Sequence, residues 1–152
     1  MIKIKKSNTA DTRTCDFSKV TKDDLLEASA NHINDVRRAI WFLASKMAKQ
    51  SVDHDFTKID EIDQFHSDFA TGFKTTIWWD AHRKQERHHL SHDDGVRADV
   101  NLFDVLEYIA DCVMAGKARS GVVTPLIIKP EVLVKAFENT WKLLESHVEV
   151  VE

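Results

Sequence analysis

Leu102-Phe103-Asp104-Val105-Leu106-Glu107-Tyr108-Ile109-Ala110-Asp111-Cys112-Val113-Met114-Ala115 is apolar nearly all round when wound as a helix, broken only by Asp104, Glu107 and Asp111. A helix of that kind belongs at the centre of a fold. Asn101 can cap it, with Asp104 at the third position. Gly116 reads as its stop and residues 117–121 as a short basic loop. On the helical wheel Asp111 lies with Asp104 and Glu107, opposite Leu102, Ile109 and Val113. A solvated carboxylate is the plain reading of that side, yet Tyr108, Met114 and Ala115 flank Asp111, so the side is not plainly solvent. Either Glu107 or Asp104 could point inward in its place.

Working outward, upstream helices follow the same period. Thr21 can cap a first helix with Asp24 three positions on, near its positive end. Leu25, Val36, Ile40, Leu43 and Met47 give that helix an apolar face down to about Lys49, and His32 falls on the same face. Ser51-Val52-Asp53 interrupts the pattern. His54-Asp55 then stands at a helix start, followed by the stripe Ile59, Ile62, Phe65, Phe69 and Phe73 ending near Gly72. Asp60, Glu61 and Asp63 are its solvated side. Downstream, Asp93-Asp94-Gly95 reads as a turn and residues 122–128 as extended. Pro130 opens a last amphipathic helix on Leu133, Phe137, Trp141 and Leu144. Residues 1–20 are poorly defined, with a short edge strand at Ile2-Lys3-Ile4-Lys5 and a polar loop at 8–16. The tail at 148–152 is expected to fray.

Composition agrees with an all-α class. With 152 residues, 43% hydrophobic and 30% charged, the chain is expected to be a single domain over 1–152, with four Gly and two Pro arguing against a loop-rich β fold. Five to seven helices are expected. Met1 to Lys6 lacks the long apolar region of a signal peptide, and no apolar run reaches the ~18 residues of a membrane span. Cys15 and Cys112 are too few for a disulfide framework, which points to a cytoplasmic setting. A net charge of −4 argues against broad binding to nucleic-acid phosphates.

The residues that carry chemistry centre on His54-Asp55. An adjacent imidazole and carboxylate can ligate one divalent cation, and a mixed nitrogen and oxygen set suits Mn, Co, Ni, Fe or Zn, with Mg also open. His32 lies upstream and Asp111 downstream, giving the order His…His-Asp…Asp. The segment from Trp78 to His92 adds His82, His88, His89 and His92 beside Arg83, Lys84 and Arg87. If helical, it puts His82, Glu86 and His89 on one face, able to hold a metal or a phosphate. An exposed basic helix end is the simpler account of any one of them.

These motifs resemble the HD superfamily of metal-dependent phosphohydrolases, all-helical bundles named for their His-Asp pair. The nearest likeness is to a small set of HD-like proteins common in bacteriophages. The resemblance rests on His54-Asp55-Phe56-Thr57-Lys58, on Trp79 to His89, and on Glu107 to Asp111 running into Ala115 to Gly121. It implies that His32, His54, Asp55 and Asp111 ligate the metal. Thr57 departs from the pattern, standing where many such enzymes have Gly or Ser. With a bound cation, Asp55 would position or deprotonate a water, and Lys58, Arg119, His82, His88 and His89 would hold phosphate. The expected activity is phosphate-ester hydrolysis of a small nucleotide, a nucleoside monophosphate or a signalling nucleotide. A homo-oligomer is compatible with this. The other class is a non-enzymatic phage protein that binds or inhibits a host protein, with Trp78, Trp79 and Trp141 as anchors.

Overall fold

A computed structural model describes residues 1–7, 15–92, 95–123 and 125–151, and they are mostly helical. In chain order the elements are β1 (Ile2–Lys5), α1 (Lys22–Asp53), α2 (Thr57–Asp60), α3 (Ile62–Ala70), α4 (Ile77–Gln85), β2 (Ser91–His92), β3 (Gly95–Val96), α5 (Leu102–Ser120), α6 (Pro130–Glu145) and β4 (Val148–Val151). Contacts gather them into two compact units, one of residues 1–45 and 142–152 and the other of residues 46–141. Among the described residues no helix is long and apolar enough to cross a membrane.

In the first unit, β1 and β4 pair in parallel, Ile2 opposite Val148 and Lys5 opposite Val151. The tail therefore does not fray. Its β-branched valines suit a strand, and β1 supplies the partner edge. Arg38 on α1 donates from Nη2 to the Lys3 carbonyl at 2.7 Å, and the Phe42 and His147 rings lie 4.5 Å apart. Thr21 and Asp24 close the start of α1 reciprocally. The Thr21 hydroxyl accepts from Asp24 N at 3.2 Å, and the Asp24 carboxylate accepts from Thr21 N at 2.9 Å.

The second unit has a core of Leu90, Val100, Val105, Val132 and Ala136, drawn from the segment after α4, from α5 and from α6. α5 starts on a capping box: Asn101 Oδ1 accepts from Phe103 N and Asp104 N, while Asp104 Oδ2 accepts from Asn101 N. Asp104 is fully buried. Its Oδ1 and Oδ2 accept from Nε and Nη2 of Arg87, both at 2.8 Å, and Oδ1 also accepts from Gln50 at 2.6 Å. Asp68, also buried, takes the first amides of α4, Trp78 N at 2.9 Å and Trp79 N at 3.1 Å, fixing that helix against α3.

Several expectations are corrected. α1 continues past Lys49 to Asp53, helped by the Lys49–Asp53 ion pair and the Ser51 hydroxyl donating to Ala48 O. The single stripe from Ile59 to Phe73 is broken at Glu61, and Ile59, Ile62 and Phe69 are exposed. α5 passes through Gly116, where a Cβ would stand 3.0 Å from the Val122 carbonyl oxygen. Gly116 thus serves a close backbone approach. The stop is Gly121, at φ 71, a left-handed cap suited to glycine. On α6 the buried face is Val132, Ala136 and Thr140, and Leu133, Phe137 and Trp141 are exposed. The short strands qualify the all-α expectation. The turn expected at 93–95 and the loop expected at 8–16 fall largely outside the described residues.

Candidate metal centre

The pair His54-Asp55 lies in the turn between α1 and α2, and Asp55 has φ 54. A positive φ is uncommon for a side-chain-bearing residue, though Asp tolerates it better than most. Glu86, itself buried, holds the turn there. Its carboxylate accepts from Asp55 N at 3.2 Å, from Thr57 N at 3.1 Å and from the Thr57 hydroxyl at 2.6 Å. Strain held in place by a buried clamp marks positions where geometry matters more than local comfort.

Three imidazoles face Asp55, and each is oriented from behind through Nδ1. Glu107 Oε1 accepts from His54 Nδ1 at 2.7 Å and from His88 Nδ1 at 3.2 Å. The Thr57 hydroxyl, already donating to Glu86, accepts from His82 Nδ1 at 2.7 Å. These partners put the proton on Nδ1 and leave a lone pair on each Nε2. His82 Nε2 and His88 Nε2 then stand 3.5 and 3.7 Å from Asp55 Oδ1, and His54 Nε2 stands 3.5 Å from Asp55 Oδ2. Those separations are long for hydrogen bonds. They match the roughly 3–4 Å between two ligand atoms on one ion with bonds of about 2.0–2.2 Å. Asp55 Oδ1 and His82 Nε2 are buried without a hydrogen-bond partner. Ligand atoms of His54, Asp55 and His88 lie within 4.8 Å of one another, as do those of His82, His88 and His89 and those of Asp55, His82 and Glu86. Glu86 is occupied by the turn it clamps, so the set around Asp55 is the better cradle. The residues present fit a divalent cation, and their Nδ1 partners are the outer-shell groups such a site needs.

The placement of the expected ligands is mixed. His54 and Asp55 are central. Asp111 Oδ1 is 3.9 Å from His54 Nε2, at the edge of the cluster. Glu107, left open as an alternative, is the inward carboxylate of α5 and acts behind the imidazoles. His32 is exposed on α1 and belongs to none of these groups. His82 and His88, expected to hold a phosphate or a metal, face Asp55 with their ring nitrogens. In the segment from Trp78 to His92, read from sequence as helical only conditionally, the helix ends at Gln85, and the turn at Glu86 brings His88 back toward His82. His89 packs edge-on against Trp79 at 5.5 Å, with its Nε2 buried and unpartnered. Lys58 pairs with Asp55 Oδ2. Arg119 is exposed in the last turn of α5, about two turns beyond Asp111, and does not join the cluster. The roles of Gln50 and Asp68 carried no signal in the sequence, and Glu86 is legible there only as sharing a face with His82 and His89.

Comparison of the chain with protein-family models, with curated proteins and with solved structures finds no match. What the centre can do is therefore read from its own chemistry.

Burial would raise the Asp55 carboxyl, but Lys58, then His54 and His88, hold it below its ordinary value. Burial also opposes ionisation of Glu107, and hydrogen bonds from His88, His54 and Gln50 outweigh it, leaving the group at about 2. Burial pushes His82 down. It also pushes His89 down, to about 3, aided by His88 and His82. For His88 burial acts downward too, but Glu107, Asp55 and Asp111 win and raise it. Both carboxylates are thus ionised near neutral pH, as ligands and their orienters must be.

Two results follow. Glu107→Gln removes the charge behind two imidazoles while keeping the shape, and is expected to weaken metal affinity roughly 10–100-fold with the helical fold intact. Isothermal titration with Mn or Zn reads this, and unchanged affinity would mean Glu107 does not orient the site. The second concerns pH. On unfolding, His89 moves from about 3 to its ordinary 6.5, so below pH 6.5 the unfolded chain binds more protons and stability is lost as pH falls. His82 acts in the same direction, and His88, being raised, acts oppositely. Glu107 adds its own loss below 4.5. The thermal midpoint of metal-free protein should fall on acidification below pH 6.5, with a shallower slope in His89→Gln. A midpoint that rises in that window would contradict the balance.

Proposed function

We propose that the chain is an HD-type metal-dependent phosphohydrolase acting on a small nucleotide, with His54, Asp55 and His88 holding one divalent cation and His82 and Asp111 at its edge. The observation that carries this is the convergence of three lone-pair nitrogens on the half-buried Asp55 carboxylate, whose Oδ1 is buried and unpartnered, at separations too long for hydrogen bonds. A divalent cation bound there supplies a more acidic water and polarises a phosphoryl oxygen.

The chain's own residues do the rest. Asp55, kept ionised by Lys58, can orient a water and accept its proton. Lys58, about one-third exposed, offers its ammonium to a phosphate oxygen in exchange for Asp55 Oδ2. Beside His54 and Asp111 opens a cleft of about 230 Å³, walled by Met47, Ser51, Ala110 and Met114. Its largely apolar wall suits a nucleobase or sugar, leaving the phosphate toward the imidazoles. That size favours a mononucleotide over a polymer.

Phosphate release from a panel of nucleoside monophosphates and cyclic nucleotides, with Mn, Co, Ni, Zn and Mg supplied singly, tests the reading. Turnover with at least one pair is expected. No turnover with any pair, in protein that carries metal, would transfer the assignment to a non-enzymatic protein that binds a host protein. The exposed Trp141 favours that second reading, whereas Trp78 is buried in the molecule's own packing.

A further inference from the structure

We infer that the exposed face of α1 is a homodimer interface, on which the same face of a second copy lies antiparallel. In the first unit Ala28 is the one hydrophobic side chain that is buried among the described residues. A two-stranded sheet and one helix with so little burial cannot offset the conformational entropy of ordering them. The missing burial is on view along α1. Leu26, Ile33 and Ile40 recur every seven residues. Val36 and Leu43 follow the last two by three positions, and the small Ser29 follows the first, which approximates the a/d pattern of a helix that pairs with another helix. Leu26 is 66% exposed, Ile33 and Ile40 57% each, and Trp41 71%.

The surface also has the right relief. A groove on this face is bordered by Ile33, Val36, Arg37 and Ile40, the i, i+3, i+4, i+7 set that forms the hole for a knob from a facing helix. Between Leu25 and Trp41 the large apolar side chains Leu25, Leu26, Ile33, Val36, Ile40 and Trp41 are each exposed by 42% or more. Charge selects the orientation. Asp23 flanks the start of the stripe and Arg37 flanks it about four turns further on, both on the side of Leu26 and Trp41. An antiparallel pair sets acidic against basic at both ends, whereas a parallel pair sets like against like. A second copy of this chain therefore complements the face in shape and charge.

Sedimentation velocity on the full chain tests this. Wild-type protein is expected to be a dimer, and Ile33→Glu with Ile40→Glu a monomer with its helical circular dichroism retained. Because that variant could unfold the first unit, a charge exchange gives a second test. A chain with Asp23→Lys, and another with Arg37→Glu, should each self-associate more weakly than wild type. Mixed, they should form a heterodimer. A wild-type monomer at every concentration, whether Trp41 is covered within its own chain or left bare, would overturn the proposal. So would a dimer that survives both glutamates, or exchanged chains that self-associate as well alone as mixed.

Discussion

Asp55→Ala is expected to abolish both metal binding and turnover while leaving the fold in place. Its Oδ1 is the atom that His82 Nε2 and His88 Nε2 face, and its Oδ2 is the one that His54 Nε2 and Lys58 share. Without it, three imidazoles remain with no carboxylate among them, so affinity should fall by more than the 10–100-fold typical of losing an outer-shell partner. The loss should be steeper than for Glu107→Gln. The backbone need not suffer, because Glu86 clamps the turn through amides and the Thr57 hydroxyl rather than through the Asp55 side chain. Relief of the positive φ does not arise either, since alanine at φ 54 is no more comfortable than aspartate. Metal titration alongside the phosphate-release assay reads both effects. Retained affinity in Asp55→Ala would place the cation elsewhere.

The largest stability effect should come from Asp104→Ala. Asp104 is fully buried, joins Arg87 through both oxygens, takes an amide at the start of α5 and receives Gln50. Removing one partner of a buried ion pair costs about 3–5 kcal/mol, because the other is left uncompensated. Arg87 keeps Asp99 at 2.7 Å and is one-third exposed, which places the loss near the lower end, about 3 kcal/mol. Asp99→Ala, at an exposed carboxylate, is the control and should cost under about 1 kcal/mol. Urea unfolding followed by circular dichroism distinguishes them. Equal, small losses would mean the Arg87–Asp104 pair does not anchor α5.

Local signals in the sequence translated well into structure where they acted through neighbouring residues. The Thr21–Asp24 and Asn101–Asp104 caps and the start of α6 at Pro130 all depend on atoms a few positions apart. Faces were harder. On α1 and α6 the bulky stripe is outward and the small one inward, because Ala28, Val132, Ala136 and Thr140 let chains approach where Trp41 or Phe137 could not. Periodicity finds a stripe but does not say what covers it. The polar side of α5 was legible as a side, yet its meaning depends on Gln50, His54, Arg87 and His88, tens of residues away. Nothing within the helix distinguishes a carboxylate in water from one in a buried network. His54-Asp55 stood out by type, and His82 and His88 by density, but their meeting requires the turn that Glu86 enforces.

The most direct measurement is anomalous scattering from crystals of untagged protein grown with Mn, Co or Zn. A single strong peak within ligand-bond distance of Asp55 and the Nε2 atoms of His54 and His88, with His82 beside it, is the predicted result. Protein that takes up no cation from any of the three, or a peak held by other residues with these four uninvolved, would contradict the assignment of this cluster as a metal centre.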